Sequence, residues 1–208
     1  MPHAESFNRR RALAWAGAAV LATELPTAQA QTRKRPMPAQ TEGPFYPVRE
    51  PRDADFDLLK NGALAYAAGR AAWVEGVVTD LDGKPLKGAR IEIWQCDASG
   101  HYDHPRDGAR SDPAFQGFGR VVLDAQGAFR FRTIQPVAYS GHTPHIHAKL
   151  KLGQRELLTT QLYVAGDPGN LRDGVYRALD PLDQAAVSAA FEPGADGLKA
   201  RYVLAVAG

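Results

Sequence analysis

The chain has 208 residues, of which 44% are hydrophobic and 23% charged, and these proportions exclude wholesale disorder. Its 25 Lys and Arg residues nearly balance 23 Asp and Glu residues, so the net charge of +2 excludes a strongly basic nucleic-acid-binding surface. The length predicts one domain, and the 20 glycines and 15 prolines favour a β-rich fold with many turns. The expected partner is therefore a small molecule or a protein.

The first 30 residues have the pattern of an export signal. Three arginines at positions 9–11 precede an apolar run over 12–22, and a small-residue cleavage motif follows at 28–30. The apolar run is shorter than the roughly 20 residues that cross a bilayer, so the pattern predicts cleavage after Ala30 instead of stable membrane insertion. The paired arginines favour the twin-arginine route, with the general secretory route as the alternative. Either route predicts a periplasmic or secreted protein.

Residues 31–70 are predicted to form an extended amino-terminal arm. The start of this segment, 31–40, is basic and contains prolines, and it has no periodic apolar face. Residues 71–208 then form the predicted folded domain. Its only cysteine, Cys96, follows a β-rich run and is predicted to be a buried packing residue, since a single cysteine cannot form an intramolecular disulfide.

From residue 71 onwards, short β-rich segments alternate with turn signals. Asp82-Gly83, Gln126-Gly127 and Gly153-Gln154 mark turns. The predicted strands are 73–78, 89–95, 120–123, 128–133, 145–152, 156–164 and 202–206.

One late helix is predicted over residues 182–191. Asp180 can cap its first turn, Pro181 suits the first helical position, and the segment is rich in alanine. Short strands at near-regular spacing with a single helix predict a mainly β fold, an antiparallel β-sandwich with long active-site loops and one late helix.

His145 and His147 lie two positions apart at the start of a predicted strand, so both imidazoles face one side of the sheet. Such a pair suits zinc, copper, iron or nickel, and it is also common as ordinary polar residues. Tyr139 lies six residues earlier in a Pro-bounded loop, and Tyr102 lies in a loop just beyond an earlier strand. Both phenols could reach the histidines.

Two tyrosines beside two histidines would form an unusual metal site. A phenol has a pKa near ~10, so only a strongly acidic cation holds it as phenolate at neutral pH. Hard anionic oxygen favours ferric over ferrous iron. Each tyrosine taken singly is equally consistent with a loop residue whose hydroxyl binds backbone or water.

A set of ordered motifs resembles the intradiol ring-cleavage dioxygenases, over about residues 41–168. The motifs are T-E-G-P-F-Y-P at 41–47, G-K-P-L-K-G-A at 83–89, W-Q at 94–95, G-H-Y at 100–102, F-G-R at 118–120, F-R-T-I at 131–134, Tyr139, P-H-I-H at 144–147 and T-Q-L-Y at 160–163. The resemblance is nearer to the protocatechuate 3,4-dioxygenase type, because there is no room for the long helical amino-terminal region of catechol 1,2-dioxygenases.

The resemblance implies one Fe(III) per chain, held by four side chains: Tyr102, Tyr139, His145 and His147. It also implies a reaction in which a catechol and O₂ combine between the two hydroxylated carbons, giving a muconate-type product. Tyr139 would leave the metal when substrate binds and accept a substrate proton.

The resemblance further implies four residues around the substrate. Gln161 matches an active-site glutamine, and Pro44 and Tyr46 match the segment that lines the substrate entrance. His142 stands where the family commonly has an arginine three residues before the first histidine, so a fixed cation is missing there. His142 is predicted to contact substrate, with a solvated loop residue as the alternative.

Two other readings remain open at the level of sequence. The strand-turn-strand segment over 77–93 also resembles transthyretin-like exported binding modules, which lack the later tyrosines and the His-x-His pair. A zinc or copper site could instead combine His145 and His147 with His142, His101 or His104. The sequence leaves open which catechol is used and whether the chain forms a homo-oligomer.

Overall fold

A computed structural model describes residues 33–49 and 51–207, so the predicted export signal at 1–30 lies outside the described residues. The strands, in chain order, are β1 (Lys60–Asn61), β2 (Leu64–Ala65), β3 (Ala71–Asp80), β4 (Arg90–Trp94), β5 (Phe118–Val122), β6 (Ala128–Ile134), β7 (His145–Leu152), β8 (Arg155–Val164), β9 (Ser188–Ala189), β10 (Glu192–Gly194) and β11 (Gly197–Val206). The helices are α1 (Gly174–Arg177) and α2 (Pro181–Ala186), with short 3-10 turns at Pro105–Asp107 and Pro168–Leu171. In the described ranges, no helix is long and apolar enough to span a membrane.

Two sheets pack against each other and enclose the core. One has the strand order β10-β11-β3-β6 and the other has the order β5-β4-β7-β8-β9. Alternate residues of each strand point inwards and are apolar, as a half-buried sheet requires. The core includes Val74, Val78, Ile91, Ile93, Phe131, Ile146, Leu150, Leu162 and Leu204. The predicted mainly β sandwich is confirmed.

Two strand pairs are parallel instead of antiparallel. Strand β11 pairs with β3 in parallel, and β9 pairs with β8 in parallel. Parallel neighbours need a long connection, and here most of the domain separates β3 from β11. The prediction of an antiparallel sandwich is therefore correct for all of the described strand pairs except these two.

The three predicted turns lie at the predicted positions. Only one of them connects two strands that pair as a hairpin. Strands β7 and β8 pair across Gly153, whereas the strands before and after Gly83 and Gly127 belong to different sheets. Gly127 has φ of 69°, and an added Cβ there would lie 2.4 Å from the carbonyl oxygen of Val78. These turns carry the chain from one sheet to the other.

The predicted late helix is shorter than expected. Asp180 caps α2 by accepting the N–H groups of Leu182 and Asp183, but the helix ends at Ala186 and a separate short helix, α1, precedes it. The extension of the helix to residue 191 was wrong, because Val187 is fully buried in the core and the next two residues pair with β8. Tertiary packing here overrides the helical propensity of the alanines.

The arm predicted over 31–70 packs along the domain and contains a small hairpin, β1–β2. The N–H of Met37 donates to the Ala205 carbonyl over 2.7 Å, and the N–H of Gln40 donates to the Thr159 carbonyl over 2.8 Å. Leu58 is buried in the core. The arm thus contacts both sheets, through Ala205 of β11 and Thr159 of β8, and its Leu58 is part of the core.

Candidate active site

Strand β7 brings His145 and His147 together on the outer face of the five-stranded sheet, the face that points away from the core. Side chains two positions apart on a strand share a face, and both imidazoles are 1% exposed. Their Nε2 atoms lie 3.1 Å apart. The pair can therefore bind one ion jointly.

The backbone carbonyl of Thr143 fixes the orientation of the His145 ring. Nδ1 of His145 lies 2.7 Å from this oxygen, so in the neutral imidazole Nδ1–H donates and Nε2 keeps its lone pair. Burial lowers the pKa of His145 to about 4 and lowers the pKa of His147 well below its usual range. Both rings are neutral near pH 7, which is the form that binds metal.

Tyr102 and Tyr139 reach the histidines from two loops. Oη of Tyr139 lies 3.4 Å from Nε2 of His145, and the two phenol rings meet edge to face with centroids 4.9 Å apart. Burial raises the pKa of both hydroxyls. The Tyr102 hydroxyl is buried, and apart from its interaction with the Tyr139 hydroxyl it has no hydrogen-bond partner among the described residues, which leaves room for a further group to bind it.

The donor set fits a ferric ion. Two nitrogens bound to one cation at about 2.1 Å lie roughly 3 Å apart when they subtend a right angle, close to the 3.1 Å between the histidine Nε2 atoms. The two buried phenols stay neutral by themselves, and a strongly acidic cation would stabilise them as phenolates. Hard oxygen and imidazole nitrogen together favour iron(III) over softer alternatives.

Two of the three further histidines that were candidate metal ligands, His101 and His104, bind elsewhere. Nδ1 of His101 lies 3.4 Å from the Asp107 carboxylate, and Nδ1 of His104 accepts the N–H of Arg106 over 3.1 Å. In the described part of the chain, no three His, Cys, Asp or Glu side chains form a group that could hold a metal. The zinc or copper alternative requires such a group, so the described residues favour the set with two tyrosines.

His142 lies at the edge of the donor cluster. Its ring centroid is 5.4 Å from that of Tyr139 and 6.0 Å from that of His145. Its Nδ1 lies 3.1 Å from Oδ2 of Asp173, and 43% of the side chain is exposed. The position that commonly carries an arginine in the family therefore adjoins the candidate ligands.

Asp173 is a residue that sequence reasoning missed. Burial alone would raise the pKa of its carboxyl, but hydrogen bonds from the N–H groups of Thr143, Tyr176 and Val175 and from His142 outweigh burial and lower the pKa. The sequence signal, an Asp just before a short helix, predicts only a helix cap. The contact with His142 joins the His142 loop to α1.

Two cavities flank the donor cluster. The larger, of about 490 Å³, is lined by Tyr139, His142, Thr143 and Arg172 among others. The smaller, of about 190 Å³, lies beside Tyr102. The larger one is in the range of small-molecule sites.

Gln161 pairs with His147 across the β7–β8 ladder and is buried. Its Nε2 donates to the Thr41 carbonyl over 3.2 Å, and its Oε1 accepts the Tyr163 hydroxyl over 2.7 Å. Both ends of the amide are thus engaged, and the contact with Thr41 fixes the arm beside His147.

Pro44 and Tyr46 lie in the segment that crosses the site, but they do not line either of the two cavities. Pro44 is exposed. The Tyr46 hydroxyl donates to Glu92 over 2.8 Å and accepts from Lys151 over 3.0 Å. The residue between them, Phe45, was missed by sequence reasoning and contacts Tyr102 directly.

Aromatic rings pack around the donor cluster. Phe45 stacks on Tyr102 with centroids 4.6 Å apart, and Trp94 stacks on His147 with centroids 4.9 Å apart. Cys96 is fully buried in this cluster, and burial raises its pKa to about 12, so it is a packing residue as predicted. The site is therefore enclosed on several sides by apolar surface.

Comparison with known proteins identifies the family. A family model described as "Dioxygenase" matches residues 41–204. The chain is 38% identical over 160 residues to the protocatechuate 3,4-dioxygenase beta chain of Burkholderia cepacia, covering 71% of this chain and 64% of the relative. It is 31% identical over 163 residues to the catechol 1,2-dioxygenase of Acinetobacter baylyi, covering 70% and 51%. The chain belongs to the intradiol dioxygenase family.

Solved structures of intradiol dioxygenases share the fold. The dioxygenase domain of a dioxygenase carbohydrate-binding protein fusion from Streptomyces sp. SirexAA-E matches with a TM-score of 0.66 and 31% identity, covering 83% of this chain and 99% of that chain. An intradiol ring-cleavage dioxygenase from Tetranychus urticae matches with a TM-score of 0.67 and 22% identity, covering 83% and 94%. This chain thus spans nearly all of these two structures.

Because the chain belongs to the intradiol dioxygenase family, the interpretation as a transthyretin-like binding module is not supported. The later tyrosines and the His-x-His pair, which such modules lack, come together in this fold. The chain spans 64% of the Burkholderia relative and 51% of the Acinetobacter relative.

Proposed function

We propose that this protein is an Fe(III)-dependent intradiol dioxygenase that opens a catechol between its two hydroxylated carbons with O₂, giving a muconate-type diacid. The observation that carries the proposal is the convergence of two buried phenols and two neutral imidazoles, with Tyr139 Oη 3.4 Å from His145 Nε2 and the two Nε2 atoms 3.1 Å apart. Tyr102, Tyr139, His145 and His147 would hold one iron per chain.

When bound, ferric iron supplies the acidity that stabilises phenolate and catecholate oxygens, and it activates the catecholate towards O₂. The protein's own contribution is a set of fixed, buried donors enclosed by aromatic side chains. The Thr143 carbonyl holds the tautomer of His145 in which Nε2 faces the cluster. Stacking of Trp94 on His147 restricts the orientation of the second imidazole ring.

Tyr139 and His142 are the candidates for direct contact with the substrate, because both line the larger cavity. As the phenolate that bound iron would stabilise, Tyr139 would accept a proton from a catechol hydroxyl at its Oη and become a neutral phenol. The Asp173 carboxylate holds Nδ1 of His142, which leaves Nε2 for the substrate. Gln161 contributes by orienting the arm beside His147, since both ends of its amide are already engaged.

The test begins with the iron-loaded protein, which should be reddish from tyrosinate-to-Fe(III) charge transfer and should bind one iron per chain. Under ¹⁸O₂ it should convert a catechol into a ring-opened product that carries two labelled oxygens. Tyr102→Phe and Tyr139→Phe should each bleach or shift the visible band and lower turnover by more than about tenfold. Tyr66→Phe is the matched control, because its buried hydroxyl contacts Ala98 outside the donor cluster.

Two results would reject the proposal. One is a colourless protein that fails to retain iron and turns over no member of a broad catechol panel. The other is cleavage beside, instead of between, the hydroxylated carbons. An unchanged spectrum in both tyrosine variants would reject the ligand assignment alone.

A further inference from the structure

The arm crosses the candidate site over residues 40–46 and forms one of its walls. A side chain at Gly43 would place its Cβ 3.3 Å from Cε1 of His147, so the arm backbone lies directly against this imidazole. Two residues later, Phe45 stacks on Tyr102 and meets Tyr139 edge to face, with centroids 4.6 Å and 6.0 Å apart. The arm therefore touches three of the four candidate ligands.

Phe45 itself makes no directional bond through its side chain, but the next residue does. The Tyr46 hydroxyl donates to Oε2 of Glu92 over 2.8 Å and accepts from Nζ of Lys151 over 3.0 Å. Its ring meets Trp94 edge to face, with centroids 5.0 Å apart. Tyr46 is thus fixed at both its hydroxyl and its ring, and it fixes the backbone that carries Phe45.

The partner of Tyr46 is a buried carboxylate. Glu92 is 2% exposed and lies on β4, next to β7. A buried charge is unfavourable unless it is paired, and here Lys151 Nζ lies 3.2 Å and Arg90 Nε 3.0 Å from the carboxylate. Only one of these two cations, Lys151, also contacts the arm.

A second ion cluster holds the arm on the other side of Phe45. Lys149 pairs with Glu42 of the arm and, over 3.3 Å, with Glu156 of β8. Its Nζ also lies 4.1 Å from the centroid of the Tyr46 ring, a cation–π contact. Glu42 and Tyr46 flank Phe45, so the arm is anchored on both sides of the residue that covers Tyr102.

Glu92 is buried, whereas Glu42 and Glu156 of the second cluster are 43% and 50% exposed. Neither kind of ion pair stabilises a fold strongly, because exposed pairs contribute little and buried pairs are often no better than apolar residues of similar volume. What such pairs contribute is a defined geometry, because each charged group interacts favourably only with a partner at a particular position. Here both clusters connect one sheet face to one short segment. The arrangement is therefore suited to fixing the position of that segment over the site.

We propose that Glu92, Lys151 and Lys149 are positioning residues that hold Phe45 against Tyr102 and so keep water from the Tyr102 hydroxyl. They act through Glu42, Tyr46 and the arm backbone, and they do not touch the candidate ligands through hydrogen bonds of their own. The role rests on the proposed function, in which Tyr102 is an iron ligand whose geometry determines the spectrum and the rate.

The test compares Lys151→Met with Arg90→Met. Both remove a cation from Glu92, but only the first removes a contact of Tyr46. In the iron-loaded protein, Lys151→Met should shift the visible charge-transfer band and lower kcat/KM by about tenfold or more. Arg90→Met should leave both near wild type, and Lys151→Arg should restore most of the loss, because it returns the charge.

A measurement on the metal-free protein separates positioning from catalysis. Amide hydrogen exchange in residues 40–46 should be faster in Lys151→Met than in wild type and unchanged in Arg90→Met. Tyr46→Phe, which removes only the hydroxyl, should change exchange and spectrum in the same direction. The effects of Tyr46→Phe and Lys151→Met should not add in the double variant, because both break one contact.

Equal spectra, rates and exchange in Lys151→Met and Arg90→Met would overturn the positioning role. Additive effects of Tyr46→Phe and Lys151→Met would also overturn it. Failure of the wild-type protein to bind iron or cleave catechols would instead reject the proposed function. In that case the exchange data from metal-free protein still decide whether the ion clusters hold the arm.

Discussion

The two faces of strand β7 are equally buried but are stabilised in different ways. Ile146 and Leu150 point into the core and are surrounded by apolar side chains from both sheets. His147 and Lys149, on the opposite face, are 1% and 5% exposed. Each of these polar residues contacts the arm as well as side chains of its own sheet.

The difference follows from the directionality of the interactions. Apolar burial is non-directional and tolerates any neighbour of suitable shape. A buried imidazole or ammonium needs a partner at a defined place. On β7 the partners come from the arm, from the tyrosine loops and from the neighbouring strands. The core face therefore carries the stability of the domain, and the outer face carries its site.

Ile146→Ala should have the largest effect on the free energy of unfolding of the metal-free protein. Ile146 is fully buried, so truncation leaves a cavity and should cost about 2–5 kcal/mol, measured by urea denaturation. Ile146→Val is the matched control and should cost about 0.5–1.5 kcal/mol. A loss below about 1 kcal/mol in Ile146→Ala would contradict the assignment of stability to this face.

Asp173→Asn should have an intermediate effect, about 1–3 kcal/mol at pH 7, because the buried carboxylate accepts N–H groups from Thr143 and Val175 as well as binding His142. The folded protein lowers the pKa of Asp173 below its ordinary value of 3.8. Its contribution is therefore fully present above the unfolded pKa and is lost as pH falls through the folded pKa.

Unfolding curves of wild type and Asp173→Asn at several pH values check this prediction. The difference in free energy should be constant from pH 7 to about pH 5 and should shrink below pH 4. A difference that grows as the pH falls would show that the carboxyl is destabilising in its charged form. Asp124→Asn, at an exposed turn, controls for the general effect of removing a carboxylate.

His147→Leu should have the smallest effect on the metal-free protein, within about 1 kcal/mol of wild type, because it replaces a buried imidazole whose Nδ1 has no hydrogen-bond partner among the described residues. The same variant should fail to retain iron in a metal-content assay. A loss of stability as large as that of Ile146→Ala would mean that the two faces of β7 do not divide stability and function.

The sequence by itself determined the features that depend on neighbouring residues. Alternation along β7 places His145 and His147 on one face, and glycines at 83, 127 and 153 mark real turns with positive φ. The ordered motifs identified the family and predicted four candidate donors, which the structure brings together. These features are local, or they repeat a pattern at fixed spacing, so the chain order alone reveals them.

Only the tertiary structure decided which distant groups complete the site. Asp173 meets His142 across 31 positions, and Lys151 meets Glu92 across 59. Nothing in the local pattern of either residue specifies such a partner. The same reason explains why α2 ends at Ala186, where the core buries Val187. It also explains why β11 lies parallel to β3, since strand pairing depends on how the whole chain packs.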